Sequence, residues 1–113
     1  MTENKPVLEA FLQCEIVSGT ILQADPFPEA HKPAIKLVID FGHRGVKRSS
    51  AQITAIYEPG QLIGMQVVAL INVPPRRIAG FDSECLVLGA VGDNGAVVLL
   101  TTERPVGNGT KIA

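Results

Sequence analysis

A chain of 113 residues that is 46% hydrophobic fits one domain, residues 1–113, able to bury roughly 65% of the surface its unfolded form exposes without a covalent staple. A net charge of −1 excludes a strongly basic nucleic-acid module taken as a whole, and two cysteines far apart, Cys14 and Cys85, exclude a disulfide framework or a clustered zinc site. No leader-like apolar segment opens the chain and no apolar run approaches the ~20 residues needed to cross a bilayer, so the expectation is a cytoplasmic chain with no membrane insertion and two buried thiols.

Pro6 can occupy the first turn of a short helix, on which Leu8, Phe11 and Leu12 form one apolar stripe. So short a helix is marginal alone and must lie on its own domain or on a second subunit. Glu15 to Ala24 reads as a long first strand with a bend or bulge at Gly19, ended by Asp25-Pro26-Phe27-Pro28 because proline cannot donate to a ladder. Ala34 to Asp40 is a second strand, and Gly42 to Gly45 turns the chain into a third, Val46 to Ile53. The small hydroxyl residues Ser49 and Ser50 on that strand either let a backbone or a ligand come close or, more commonly, are ordinary surface serines. A short helix is expected around Tyr57 to Ile63, interrupted by Pro59-Gly60, followed by an apolar strand from Met65 to Val73. Cys85 to Val91 and Ala96 to Leu100 make a hairpin across Asp93-Asn94-Gly95, the firmest short-range signal in the chain. Five or six short strands separated by turn signals point to an all-β fold, most economically a small OB-like barrel with a short N-terminal helix.

The loop between the apolar strand that starts at Met65 and the one that starts at Cys85, Asn72-Val-Pro-Pro-Arg-Arg-Ile-Ala-Gly-Phe-Asp-Ser-Glu84, is the stretch around which the chain is organised. A prolyl pair stiffens it, Arg76 and Arg77 sit on it, and Ser83-Glu84 lead into the next strand. Charge is segregated around this loop. From His31 to Gly80 seven basic residues face two acidic ones, a net of +5 that leaves −6 for the remainder. Such an imbalance predicts one basic face suited to phosphates or acidic partners. A groove lined by apolar residues and flanked by Lys32, Lys36, Arg48, Arg76 and Arg77 would suit extended polypeptides, held by main-chain hydrogen bonds at an open strand edge.

The chemistry of an enzyme is missing from the pattern. His31 and His43 have no cysteine nearby and no metal site is expected; the serines lack a nucleophile elbow, and no catalytic residue or cofactor is assigned. Five aromatic residues are few for base-stacking platforms, so any nucleic acid would be met through phosphate contact and shape.

The loop Asn72 to Glu84 resembles that of the CsaA-type proteins, bacterial members of the tRNA-binding-domain family. The likeness extends to Val17-Ser-Gly-Thr-Ile21, Asp25-Pro-Phe-Pro-Glu-Ala30, Lys32-Pro-Ala34, Lys36-Leu37, Ile39-Asp-Phe-Gly42, Lys47-Arg-Ser-Ser-Ala-Gln-Ile53 and Leu86-Val-Leu-Gly89, nearly the whole chain. The resemblance implies an OB-fold homodimer acting as a chaperone beside the secretion machinery, binding unfolded or precursor polypeptides. The wider family binds the outer corner of tRNA. Its recurring Asn, basic residue, Gly and Ser-Glu are matched by Asn72, Arg76 or Arg77, Gly80 and Ser83-Glu84, while Cys85-Leu86 replaces the family's Gly-Met. The peptide-binding or tRNA-binding residues implied are Lys32, Lys36, Arg48, Ser50, Asn72, Arg76, Arg77, Ser83 and Glu84. Leu8, Phe11, Leu12 and Ile112 are expected at the dimer interface.

Overall fold

The computed structural model describes residues 5–113. Helix α1, Lys5–Gln13, starts at the proline signal, but none of its residues is buried. Leu8, Phe11 and Leu12 all remain exposed. Cys14, just beyond, is half-buried, so the expectation of two buried thiols holds for Cys85 alone.

Strand β1, Ile16–Pro26, is the spine of a five-stranded sheet of order β3-β2-β1-β4-β7. Its upper half pairs with β2, Ile35–Asp40, and its lower half with β4, Gln66–Leu70. Strand β3, Val46–Ala51, continues the sheet beyond β2, and β7, Leu86–Val87, beyond β4. All four ladders are antiparallel, and the sheet curls into a nearly closed five-stranded barrel.

The bulge expected at Gly19 lies elsewhere. Register slips between Ile21 and Gln23, leaving Leu22 opposite no partner and exposed. The extra residue resets the two-residue alternation, so Ile21 and Ala24, three positions apart, both enter the core. Gly19 has a different purpose: a Cβ there would stand 2.6 Å from the Phe41 ring, so the ring's seat requires glycine. Pro26 does not end the strand early but closes it, opposite Ile35, where no further ladder bond is needed.

Other boundaries shift for local reasons. The proline expected to interrupt a helix initiates one: α2, Pro59–Leu62, has Pro59 in its first turn and a capping box between Glu58 and Gln61. The apolar run after Cys85 divides into β7 and β8, Gly89–Val91, because β7 follows β4 whereas β8 turns away to pair with β9, Val97–Leu99. The Asn94-Gly95 hairpin between β8 and β9 forms as expected, with Gly95 at φ 81°. The side chains of Val17, Ile21, Leu37, Ile39, Phe41 and Val67 anchor one continuous core.

Residues 107–112 lie along the lower half of β1, on the side that β2 leaves bare. Ser18 N donates to Thr110 O at 3.0 Å, Gly109 N to Ser18 O at 2.8 Å, and Ile112 N to Ile16 O at 2.9 Å. The buried Ser18 hydroxyl adds a bond to Gly107 O at 2.9 Å. The tail expected to reach for a second subunit is thus tied to its own barrel, with Ile112 half-buried.

A candidate polypeptide groove at the barrel seam

The organising loop is itself a hairpin. Strand β5, Arg76–Ile78, pairs with β6, Phe81–Ser83, across Ala79 and Gly80, whose φ values of 46° and 81° are those of a two-residue primed turn. A non-glycine residue at positive φ explains why sequence alone left this segment as a loop.

Side chains more than a ladder hold this hairpin to β3. Arg48 N donates to the Glu84 carboxylate at 2.9 Å while Glu84 N donates to Arg48 O at 2.8 Å. Ser50 N donates to Ser83 Oγ at 3.0 Å, and the buried Ser49 hydroxyl donates to Cys85 O at 2.9 Å. Ser83 and Glu84, expected to touch a ligand, hold the hairpin to β3, and Ser83 also lines the groove beside it. Burial raises the Cys85 thiol pKa to about 11, against the partly offsetting hydrogen bond with Ser49.

The basic residues divide into two groups. Arg77 is paired with Asp82 at 2.7 Å, and Arg48 lies 3.7 Å from Asp82 and 3.6 Å from Glu84. Arg48 and Lys36 also cap the Phe81 ring, at 5.3 and 5.9 Å from its centre, and Lys36 sits 5.2 Å from that of Phe27. The two rings meet edge to face at 5.4 Å. Lys32, Lys36, Lys47 and Arg76, by contrast, make no ion pair among the described residues.

Between β3 and the hairpin runs a groove made of adjoining cavities. One, of about 440 Å³, has the apolar walls Val73, Pro74, Pro75, Ile78, Cys85 and Leu86. Beside it, a cavity of about 240 Å³ presents His31, Lys32 and Arg76. Ser50, Gln52, Arg76 and Ile78 line both. A third hollow of about 360 Å³ continues past Leu86 toward β8. The backbone of β3 opens into this groove. Arg48 N and Ser50 N point to the seam, so by strand alternation the Ser50 carbonyl and Gln52 amide face the same side, and neither takes a hydrogen bond among the described residues.

Of the expected site residues, Lys32, Ser50, Arg76 and Ser83 meet at the groove and Lys36 and Arg48 form its aromatic-backed shoulder. Arg77 turns to Asp82. Asn72 stands apart: its carboxamide donates to Gln13 O at 2.8 Å and accepts from Glu15 N at 3.0 Å, fastening the end of α1 to the barrel. Sequence reasoning missed Gln52, Val73, the apolar side of the prolyl pair and Cys85. The alternation Ser50-x-Gln52, which keeps both side chains off the core, was the available signal for Gln52. No sequence signal showed that Cys85 lines a cavity.

Residues 16–111 match the family described as "Putative tRNA binding domain". Among solved structures, the chain is similar to the chaperone CsaA from Bacillus anthracis, with 54% identity, a TM-score of 0.89, and 94% of this chain and 96% of that one covered. It is similar also to the CsaA chaperone protein from Picrophilus torridus, with 46% identity, a TM-score of 0.87 and coverage of 94% and 97%. A curated relative, the methionine–tRNA ligase of Methanoregula boonei, is 38% identical over 98% of this chain, which spans 16% of that protein's length. With the family match running through the whole barrel and two CsaA chains covered almost end to end, the chain belongs to the tRNA binding domain family and resembles its CsaA members throughout.

Proposed function

We propose that this protein is a non-catalytic chaperone that binds unfolded or precursor polypeptides in the seam groove, works as a homodimer, and serves protein export from the cytoplasm. One observation carries the reading: the apolar cavity walled by Val73, Pro74, Pro75 and Leu86 lies beside an unpaired stretch of β3 backbone. An extended chain can add its own main-chain hydrogen bonds at such an edge and seat apolar side chains in the cavity, which tolerates many sequences. The similarity to CsaA chaperones supports it. The exposed face of Leu8, Phe11 and Leu12 supports pairing of two copies through α1.

A second reading, tRNA binding, is favoured by the cations Lys32, Lys36, Lys47 and Arg76, which make no ion pair among the described residues, and by the similarity to a methionine–tRNA ligase segment. The two differ in salt response, because phosphate contacts release counterions whereas apolar contacts do not. Purified protein is titrated with a labelled unfolded precursor peptide and with total tRNA at low and high salt. Peptide binding that survives salt supports the chaperone reading. Tight tRNA binding lost with salt, and weakened by Arg76→Ala with Arg77→Ala, without peptide binding, overturns it.

A further inference from the structure

We propose that the groove selects polypeptides by a two-part element: an apolar side chain in the larger cavity and, two residues away, an acidic side chain in the smaller one. The inference rests on the polypeptide-binding reading and specifies its ligand.

The two cavities are neighbours with opposite chemistry. The larger presents proline rings and aliphatic side chains with the neutral thiol of Cys85. The smaller presents Lys32, His31 and the Arg76 guanidinium, and no carboxylate lines it. Elsewhere around the seam the arginines are balanced: Arg77 by Asp82, and Arg48 by Asp82 and Glu84. Arg76 and Lys32 have no such partner among the described residues, so the positive charge at this one cavity is uncompensated. A ligand carboxylate would supply the missing charge and accept from the guanidinium fork and the ammonium group. Ser50 and Gln52 add polar side chains to the same walls.

Spacing follows from the strand geometry. A chain paired with the free Ser50 carbonyl and Gln52 amide is extended, so residues two apart project from one face, roughly 7 Å from each other. Adjacent cavities sharing four lining residues accept such a pair. A phosphate backbone could satisfy the charge at Arg76 and Lys32, but a base entering between Pro74 and Leu86 would find no aromatic side chain in that cavity to stack on. The pairing of an apolar with a cationic cavity therefore favours an acidic polypeptide over RNA.

The test uses three fluorescein-labelled unstructured peptides identical except at one position, containing Leu-Ser-Glu, Leu-Ser-Gln or Leu-Ser-Lys, with anisotropy titrations against the full chain and against its Arg76→Gln and Lys32→Ala variants. The Glu peptide is expected to bind about tenfold tighter than the Gln peptide, as hydrogen bonds to a charged group imply, with the Lys peptide weakest. In Arg76→Gln the Glu preference is expected to disappear, so that the Glu and Gln peptides bind alike. Equal binding of all three peptides overturns the acidic subsite and leaves the polypeptide-binding reading standing. Binding of none overturns both. A variant series in which Arg76→Gln keeps the Glu preference but loses affinity for tRNA overturns the inference and identifies a phosphate site.

Discussion

Replacing Glu84 tests whether side chains close the barrel. In Glu84→Ala the Arg48 amide loses an acceptor at 2.9 Å, while the backbone bond from Glu84 N to Arg48 O remains. A hydrogen bond to a charged acceptor contributes about 1.5–3 kcal/mol. The Glu84 side chain is 36% exposed, so water can reach the amide left behind. Solvent screening of so exposed a site reduces the expected loss to about 1–1.5 kcal/mol, with the ion pair to Arg48 adding little. For a domain of this size that corresponds to a fall in Tm of roughly 4–6 °C. Glu84→Gln keeps an acceptor oxygen and is expected to recover more than half the loss. Urea melts of the three proteins give the energies, and hydrogen exchange at the Arg48 amide locates them, with faster exchange in Glu84→Ala alone. An alanine variant as stable as the parent, or a glutamine variant as damaged as the alanine one, refutes the assignment.

Gly19→Val drives a side chain into the Phe41 ring, already 2.6 Å from where a Cβ would stand, and is expected to cost at least about 1–3 kcal/mol in a denaturant melt. Cys85 is expected to resist iodoacetamide in the native state at neutral pH and to react once urea unfolds the chain, as mass spectrometry would show, because its pKa near 11 leaves little thiolate. That raised value also sets a sign for stability. Between the ordinary thiol pKa of 9.0 and about 11 the unfolded chain releases a proton that the folded chain retains. Stability is therefore full below pH 9.0 and falls as pH rises, by at most about 1.4 kcal/mol per pH unit, which urea melts across that window would detect; a Cys85→Ser variant should lack this component. Phe11→Asp, on the exposed side of α1, is expected to leave the melt within about 0.5 kcal/mol of the parent and to yield a monomer in sedimentation where the parent is a dimer.

The strands were legible where local chemistry decides them. Asn94-Gly95 between apolar runs specified its hairpin, and the apolar stretch around Val67 its buried strand. The errors arose where tertiary packing decides. Gly19 reads as a bend because glycine commonly marks one, yet its missing Cβ serves a ring 22 positions later. Pro59 reads as a breaker until Glu58 and Gln61 are seen to cap the turn it opens. At the candidate site, the basic residues were evident from charge alone, but their division into balanced and unbalanced ones was not. Asp82 lies outside the +5 segment; the β5–β6 turn brings it to Arg77, and docking of that hairpin on β3 brings it to Arg48. Asn72 reads as a ligand residue by motif, and only the fold shows it holding α1.

The attachment of residues 107–112 to β1 has a kinetic side. Ser18 and Thr110 are joined across 92 positions of sequence, and Thr20 and Asn108 across 88. Closing a loop of that length is entropically slow, so these bonds belong to the late part of folding. During synthesis the first strand must wait, half its lower edge bare, until nearly a hundred further residues have been made. A chain proposed to bind unfolded polypeptides thus exposes a strand edge of its own until Gly109 and Thr110 seal it.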